Sequence, residues 1–172
     1  MINQRMNNEE IDHTQDSSDE ASAKGVVRKL QLFRAGSFHF GIFTNDIAAI
    51  LAWREPTPLP HAARSVLGVV SVHGRMLTVL DLARLTGHEA APSDASAQHL
   101  IAIRGDEQLA LAIETLGETI EIAEDDFNGM RETGEPLFLG VLHREGAETN
   151  ILNPKELFPT AIQGRERRRR RF

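Results

Sequence analysis

The stretch Gly68–Leu82 reads GVVSVHGRMLTVLDL, and it decides the fold. Two apolar runs rich in Val and Leu flank the dipeptide His73-Gly74, and the second run ends in an acidic residue. Branched and apolar residues on either side of a Gly-containing turn are typical of a β-hairpin. The stretch therefore predicts strands over Val66–Val72 and Leu77–Leu82, joined by a tight turn.

Further short strands are predicted on both sides of this hairpin. Alternating apolar residues from Leu30 to Ile42 predict a hairpin with the turn RAGS, and NDIAAILAWREP predicts a short turn that passes into a strand. The segment 99–127 predicts three strands with reversals at RGDE and TLGE. The segment 137–158 predicts a last strand pair and a short helix capped by Asn153. About ten closely spaced strands favour a sandwich or small barrels over a βαβ fold.

The ends of the chain differ in composition from its body. Residues 1–25 are polar and hold six acids and two bases, so we expect a disordered acidic tail. Residues 161–172, which end in RERRRRRF, are expected to form a disordered Arg-rich tail. Residues 26–160 are expected to form one domain of two subdomains, with the polar loop near 88–98 as the boundary between two halves.

The composition and motifs argue against several functional classes. Because Cys is absent, the sequence excludes disulfides, thiolate metal sites and a cysteine nucleophile. The seven His are scattered without HxH or HExxH spacing, and GxSxG, GxGxxG and GxxxxGK[ST] do not occur. We therefore expect no catalytic residue, no metal and no cofactor. No run approaches the roughly 18 apolar residues of a membrane span, so the cytoplasm is the default location.

The charge distribution and the single Trp can each be interpreted in two ways. Between the tails the chain has 18 acids and 11 bases, which makes a poor surface for nucleic acid, although the Arg run could attract RNA, DNA or an acidic protein. Trp53 is the only Trp, and Trp is a frequent interface anchor. The alternative for Trp53 is that it fills the gap between two subdomains.

The order of these motifs resembles the CheW-like domain family, the adaptors of bacterial chemosensory arrays. The resemblance is carried by residues 56–87, PTPLPHAARSVLGVVSVHGRMLTVLDLARLTG, where a Pro-containing loop leads to a Val-x-Gly strand, a tight turn and a strand that ends in Asp-Leu. The matching positions are Pro60, Val66, Gly68, Gly74, Asp81 and Leu82. The resemblance extends from about Val27 to Phe158.

This resemblance implies an all-β fold of two small five-stranded SH3-like β-barrels on a shared hydrophobic core, with short helices. It also implies a non-enzymatic adaptor that couples the cytoplasmic tips of chemoreceptors to the regulatory domain of a CheA-type histidine kinase and is recruited to receptor arrays. A receptor helical hairpin would lie in a groove between the barrels. The positions carried over to this groove and its rim are Ile50, Trp53, Gly68, Val70 and His73.

Four positions depart from the family pattern. His73 replaces the usual Arg, Thr78 and Ala63 replace Pro, and Ala52 replaces an acidic residue. Arg carries a fixed charge and several hydrogen-bond donors, whereas a neutral His offers one donor. If the family's Arg makes a charged contact across an interface, its loss weakens binding by about 2–5 kcal/mol unless the partner also changes. Two alternatives to the coupling adaptor stay open. One is a modulator that keeps only one of the two interfaces. The other, because of the Arg-rich tail, is a nucleic-acid-associated protein.

Overall fold

The computed structural model describes residues 26–87, 96–128, 130, 133–144 and 146–162. The strands are β1 Val27–Ala35, β2 Phe38–Phe43, β3 Ile47–Ala52, β4 Val66–Val72, β5 Arg75–Asp81, β6 His99–Ile103, β7 Leu109–Ile113, β8 Thr115–Ala123, β9 Phe138–Arg144 and β10 Ala147–Leu152. The helices are α1 Leu82–Leu85, α2 Glu124–Asn128 and α3 over 157–162, and 3-10 turns lie at Thr44–Asp46 and Pro154–Glu156.

The strands of the described residues form two five-stranded sheets, ordered β8-β1-β2-β10-β9 and β3-β6-β7-β5-β4. We call the first barrel 1 and the second barrel 2. Neighbouring strands are antiparallel, except that β2 is parallel to β10 and β5 is parallel to β7. The predicted all-β fold of two five-stranded units is confirmed.

Three apolar clusters hold the molecule together. The largest is shared, since it contains Phe33 and Phe40 from barrel 1, Leu80 and Leu111 from barrel 2, and Leu157 from α3. The interior of barrel 2 is filled by Val70, Val72, Leu77, Val79, Leu100, Ala102, Ala110 and Ala112. The interior of barrel 1 is filled by Leu30, Phe43, Ile122 and Ile151. The predicted shared hydrophobic core is therefore present between the barrels.

The chain enters barrel 2 once and returns to barrel 1 once. Strands β1 and β2 belong to barrel 1, β3 to β7 to barrel 2, and β8 to β10 again to barrel 1. The loop near 88–98 does not separate the two barrels, because β5 and β6 on either side of it belong to the same sheet. Most of this loop and the predicted tail over 1–25 lie outside the described residues. Of the tail predicted over 161–172, residues 163–172 also lie outside them, whereas residues 161 and 162 belong to α3.

The predicted reversal at TLGE is wrong, because residues 115–118 lie within β8. The chain crosses between the barrels at Glu114, whose backbone N–H donates to Arg34 O at 2.9 Å and whose carboxylate accepts from Gly36 N at 3.1 Å. Gly117 lets β8 approach β1 closely, since a Cβ at this position would lie 3.0 Å from Leu32 O. The pairing of β1 with β8 is irregular at this point. The Gly therefore marks close backbone packing, not a turn.

The residues before α1 and before the turn Pro154–Glu156 differ in how they cap these segments. β5 ends at Asp81, and the Asp81 carboxylate accepts a hydrogen bond from Arg84 N at 3.1 Å, which caps α1. Asn153 does precede the turn Pro154–Glu156, but its side chain donates to Pro136 O at 3.2 Å instead of capping. The second case shows why a residue type at a cap position does not guarantee the cap bond.

Candidate partner-binding site

The β4–β5 hairpin carries the centre of the candidate site, and Gly68 fixes how the preceding loop packs on it. Gly68 has a φ of +149° and is buried, and a Cβ there would clash with the carbonyl group of Thr57. The close approach allows Thr57 N to donate to Val69 O at 2.8 Å and Val69 N to donate to Thr57 O at 2.9 Å. The Pro-rich loop is thereby attached to β4.

His73 and Gly74 form the tip of this hairpin between the paired residues Val72 and Arg75. Their φ angles are +48° and +78°. Positive φ at both positions is what a two-residue turn needs to match the twist of the two strands. His is among the non-Gly residues that tolerate positive φ, so the turn geometry suits this residue. His73 is exposed at the tip, where its side chain is available to a partner.

Ile50 and Trp53 lie on opposite sides of the β3 segment. Ile50 is exposed on β3, with 38% of its surface accessible. Trp53 is half-buried and packs against the interior cluster of barrel 2, and its backbone N–H donates to Gln98 O at 2.9 Å. Trp53 therefore contributes to the core of barrel 2, and not to a gap between the barrels.

A side chain after β3 joins these two parts of the site. Arg54 Nη1 donates to Ser71 O at 3.1 Å, so the end of β3 lies beside the outer half of the β4–β5 hairpin. The residue after Trp53 thus contacts β4 near the His73 tip, and Ile50 is exposed on β3, three residues before Trp53.

The remaining predicted site residues lie inside the hairpin. Val70 is only 5% exposed and belongs to the interior of barrel 2, and Gly68 is buried. These two residues shape the hairpin and present no side chain to solvent. The partner-binding role of all five predicted residues stays a prediction.

The hairpin tip is cationic although it lacks the family's Arg at position 73. Two Arg residues are exposed near the tip, Arg75 directly after the turn and Arg54 in contact with Ser71 O, and Met76 adds an apolar side chain that is 52% exposed. Sequence reasoning missed Arg54, because its separation of 17 residues from Ser71 gave no sign that the two would meet. The pairing of the β3 end with the hairpin is visible only in the folded barrel.

The departure at Thr78 has a structural consequence. The backbone N–H of Thr78 donates to Gln108 O at 2.8 Å and so ties β5 to the loop before β7. Pro has no N–H, so the family's usual residue would lose this bond. The departure therefore adds a backbone hydrogen bond to barrel 2.

Other kinds of site find no support in the part of the chain that is described. Within it, no group of three or more His, Asp or Glu is placed to hold a metal ion. The acidic cluster Glu124–Asp126 forms the exposed first turn of α2. Among the same residues, none of the helices is long and apolar enough to cross a membrane.

Comparison with known proteins gives the family to which this fold belongs. The family model described as "CheW-like domain" matches residues 29–161. The chain is 26% identical over 137 residues to the chemotaxis protein CheW of Rhizobium meliloti (strain 1021), covering 77% of this chain and 88% of that protein. It is 33% identical over 76 residues to the probable chemotaxis protein CheW of Rhizobium etli, covering 44% of this chain and 48% of that protein.

A solved structure shows the same fold. The crystal structure of the scaffolding protein TtCheW from Thermoanaerobacter tengcongensis matches with a TM-score of 0.65 at 18% identity, covering 77% of this chain and 93% of that one. The predicted pair of SH3-like barrels is thereby confirmed. The chain belongs to the CheW-like domain family, the scaffold proteins of bacterial chemotaxis signalling.

Proposed function

We propose that this protein is a non-enzymatic adaptor that couples chemoreceptors to a CheA-type histidine kinase. The proposal is supported by its membership of a family of chemotaxis scaffold proteins, across residues 29–161. The observation that carries it is that Ile50 on β3, and His73 and Arg75 at the hairpin tip, are exposed on one well-packed barrel. The proposal implies a cytoplasmic protein that is recruited to receptor arrays.

The barrel fold suits a scaffold because it holds the contact residues on rigid elements. The inward residues of β4 and β5, such as Val70 and Val79, are buried, and they fix the backbone from which His73 projects. An apolar stripe of a receptor helix would pack on Ile50, in the helix-in-groove mode. Acidic groups of the partner would meet the Arg side chains beside the hairpin tip.

A co-purification experiment with separate purified partners tests the proposal. Wild type should retain both the cytoplasmic tip of the cognate receptor and the regulatory domain of the cognate kinase. Ile50→Asp should lose at least one partner, because it places a charge in an apolar contact. The matched control is Val27→Asp, which places the same charge on an exposed apolar residue of barrel 1, where 51% of the surface is accessible.

The outcomes of this experiment separate the alternatives. Retention of neither partner by wild type contradicts the coupling function. Retention of one alone favours the modulator that keeps a single interface, which the departures at His73 and Thr78 also suggest. If Val27→Asp in barrel 1 lost the partners to the same extent as Ile50→Asp, the contact surface would not be the one around Ile50. The nucleic-acid alternative rests on residues 165–172, which lie outside the described residues, and it stays a prediction.

A further inference from the structure

The two sheets of the described residues have four edge strands, and three of these edges are protected. β8 carries Glu118 and Glu121, and β9 ends in Arg144. The edge of β4 is covered in part by the Pro-rich loop, because Thr57 exchanges backbone hydrogen bonds with it. Charged side chains and covering segments of this kind keep an edge strand from pairing with another chain. The fourth edge strand, β3, has neither.

β3 is an uncharged and exposed edge strand. Its sequence is IAAILA, and Ala48, Ile50 and Ala52 are exposed, with 38% of the Ile50 surface accessible. At the start of the strand, Arg104 Nη2 donates to Ile47 O at 3.0 Å. Beyond this contact, no strand of the described residues pairs with the outer edge of β3. An exposed apolar edge of this kind is a site for pairing with a further strand.

The backbone of β3 is oriented for such pairing. Trp53 N donates to Gln98 O, just before β6, at 2.9 Å. Because the backbone groups of successive residues point to alternate edges of a strand, Trp53 and Leu51 face β6, whereas Ile50 and Ala52 face away from it. The residues whose backbone points outward are therefore the same residues whose side chains are exposed.

The charges at the two ends of β3 favour a second copy of the same strand as its partner. Asp46 precedes the strand and Arg54 follows it, so an antiparallel copy brings the acid of one chain beside the base of the other at both ends. A parallel copy would instead place like charges together. Arg104 lies beside Asp46, and Glu55 follows Arg54, so each end carries both signs and repels neither end of a second copy.

We infer that two copies of this chain associate through β3, antiparallel to each other about a two-fold axis at Ile50. Ile50 of one copy then exchanges backbone hydrogen bonds with Ile50 of the other, and Ala48 lies opposite Ala52. The two barrel 2 sheets become one continuous sheet. Because the dimer covers Ile50, it excludes any other partner that needs this residue. The inference concerns the chain alone and does not rest on the proposed coupling function.

Single Cys variants test the register of this dimer, because the protein has no Cys of its own. In a hydrogen-bonded antiparallel pair the two Cα atoms lie about 5.5 Å apart, which suits a disulfide. Residues 48 of the two copies would lie about 14 Å apart, and so would residues 52. Under mild oxidation, Ile50→Cys should therefore form disulfide dimers about ten-fold faster than Ala48→Cys or Ala52→Cys alone. A mixture of the two Ala variants should cross-link faster than either one.

Sedimentation of the full chain is the second measurement. Wild type should change from a single chain of 19.1 kDa to a dimer as its concentration rises. Ile50→Lys should stay monomeric, because two like charges meet at the axis. The matched control is Val27→Lys on barrel 1, at a residue that is 51% exposed, and it should dimerise as wild type does.

Three results would overturn the inference. They are a wild type that is monomeric at every concentration, equal cross-linking of the three single Cys variants, and dimerisation that Ile50→Lys leaves unchanged. Circular dichroism verifies that each variant is folded. If an Ile50 variant is unfolded, the mixture of Ala48→Cys and Ala52→Cys tests the same register with Ile50 in place.

Discussion

Barrel 1 and barrel 2 have the same number of strands, but they are filled in different ways. The fully buried residues of the barrel 2 interior are aliphatic, most of them Val and Ala, and the half-buried Trp53 packs against them. The interior of barrel 1 includes Phe43, and Phe127 of α2 packs on its edge at a ring distance of 5.3 Å. The guanidinium of Arg28 lies 3.5 Å from the centre of the Phe43 ring. In barrel 1, the Phe127 ring and the Arg28 guanidinium thus both pack against Phe43.

A buried polar side chain marks the second difference. Gln31 of β1 is only 6% exposed, and its amide group donates to Leu32 O at 2.9 Å and to Gly117 O at 2.8 Å. Its side-chain oxygen accepts from the Thr119 hydroxyl at 2.7 Å. The Gln side chain therefore satisfies backbone carbonyls where the pairing of β1 with β8 is irregular.

The comparison teaches that the two barrels depend on different kinds of contact. Barrel 1 adds particular side-chain contacts to the close backbone approach at Gly117, whereas barrel 2 depends above all on the still closer approach of Thr57 to Gly68. The candidate site lies on barrel 2, where exposed residues such as Ile50 and His73 are supported by a small aliphatic interior. Exposed side chains there can change without loss of the fold, which suits a surface that adapts to its partner.

The largest expected effect comes from Gly68→Val in barrel 2. The new side chain would clash with Thr57 at a positive φ, so the free energy of unfolding should fall by about 3 kcal/mol or more. Urea denaturation followed by circular dichroism measures this change. The control is Gly74→Ala in the same hairpin, which has no atom within 4 Å of the added Cβ and should lose only about 1–2 kcal/mol. Equal losses would show that backbone approach at Gly68 is not decisive.

In barrel 1, Gln31→Leu should lower the free energy of unfolding by about 2 kcal/mol. The substitution leaves the Leu32 and Gly117 carbonyls without the donor that they share. Thr119→Val removes only one hydrogen bond, so its free energy of unfolding should fall by about 1 kcal/mol in the same urea titration. A Gln31→Leu protein as stable as wild type would contradict the role given to this polar contact.

Thr78→Pro restores the usual family residue and should nevertheless destabilise this chain by about 1–2 kcal/mol. The Pro lacks the N–H that donates to Gln108 O, and the carbonyl loses its partner. Thr78→Val keeps the N–H and serves as the matched control. If the two variants had the same midpoint of thermal unfolding, the hydrogen bond would contribute nothing to barrel 2.

The smallest expected effect is that of Arg28→Met in barrel 1. Met keeps an apolar side chain over Phe43 and Phe127 but removes the cation. The free energy of unfolding should therefore fall by about 0.5–1 kcal/mol. Arg28→Lys retains a cation and should lose less. Denaturation in low and high salt distinguishes the two variants, and a stability of Arg28→Met above that of Arg28→Lys would argue against the cation–π contact.

The sequence predicted the strands because each carries a local apolar pattern. Val66–Val72 has the predicted bounds, and β5 begins only two residues before its predicted start. The turn at His73-Gly74 was also visible, since its residue types suit positive φ. These features depend on near neighbours in the chain, which is why one sequence was enough to predict them.

Features that depend on distant residues could not be predicted. TLGE has the composition of a turn, but Gly117 is needed for the approach of β8 to Leu32, which is 85 residues away in the chain. Val70 looked like a candidate contact residue, yet the fold directs it inward. The proximity of Arg54 to Ser71 likewise follows from closure of barrel 2 and has no local signature.

The central claim is that this protein couples receptors to a kinase through the surface around Ile50 and His73. The most direct measurement is the autophosphorylation rate of the cognate CheA-type kinase in receptor-containing membranes, with and without this protein. We predict that wild type makes the kinase rate depend on the receptor, and that Ile50→Asp combined with His73→Asp, folded by circular dichroism, does not. A kinase rate that does not respond to wild type would contradict the claim.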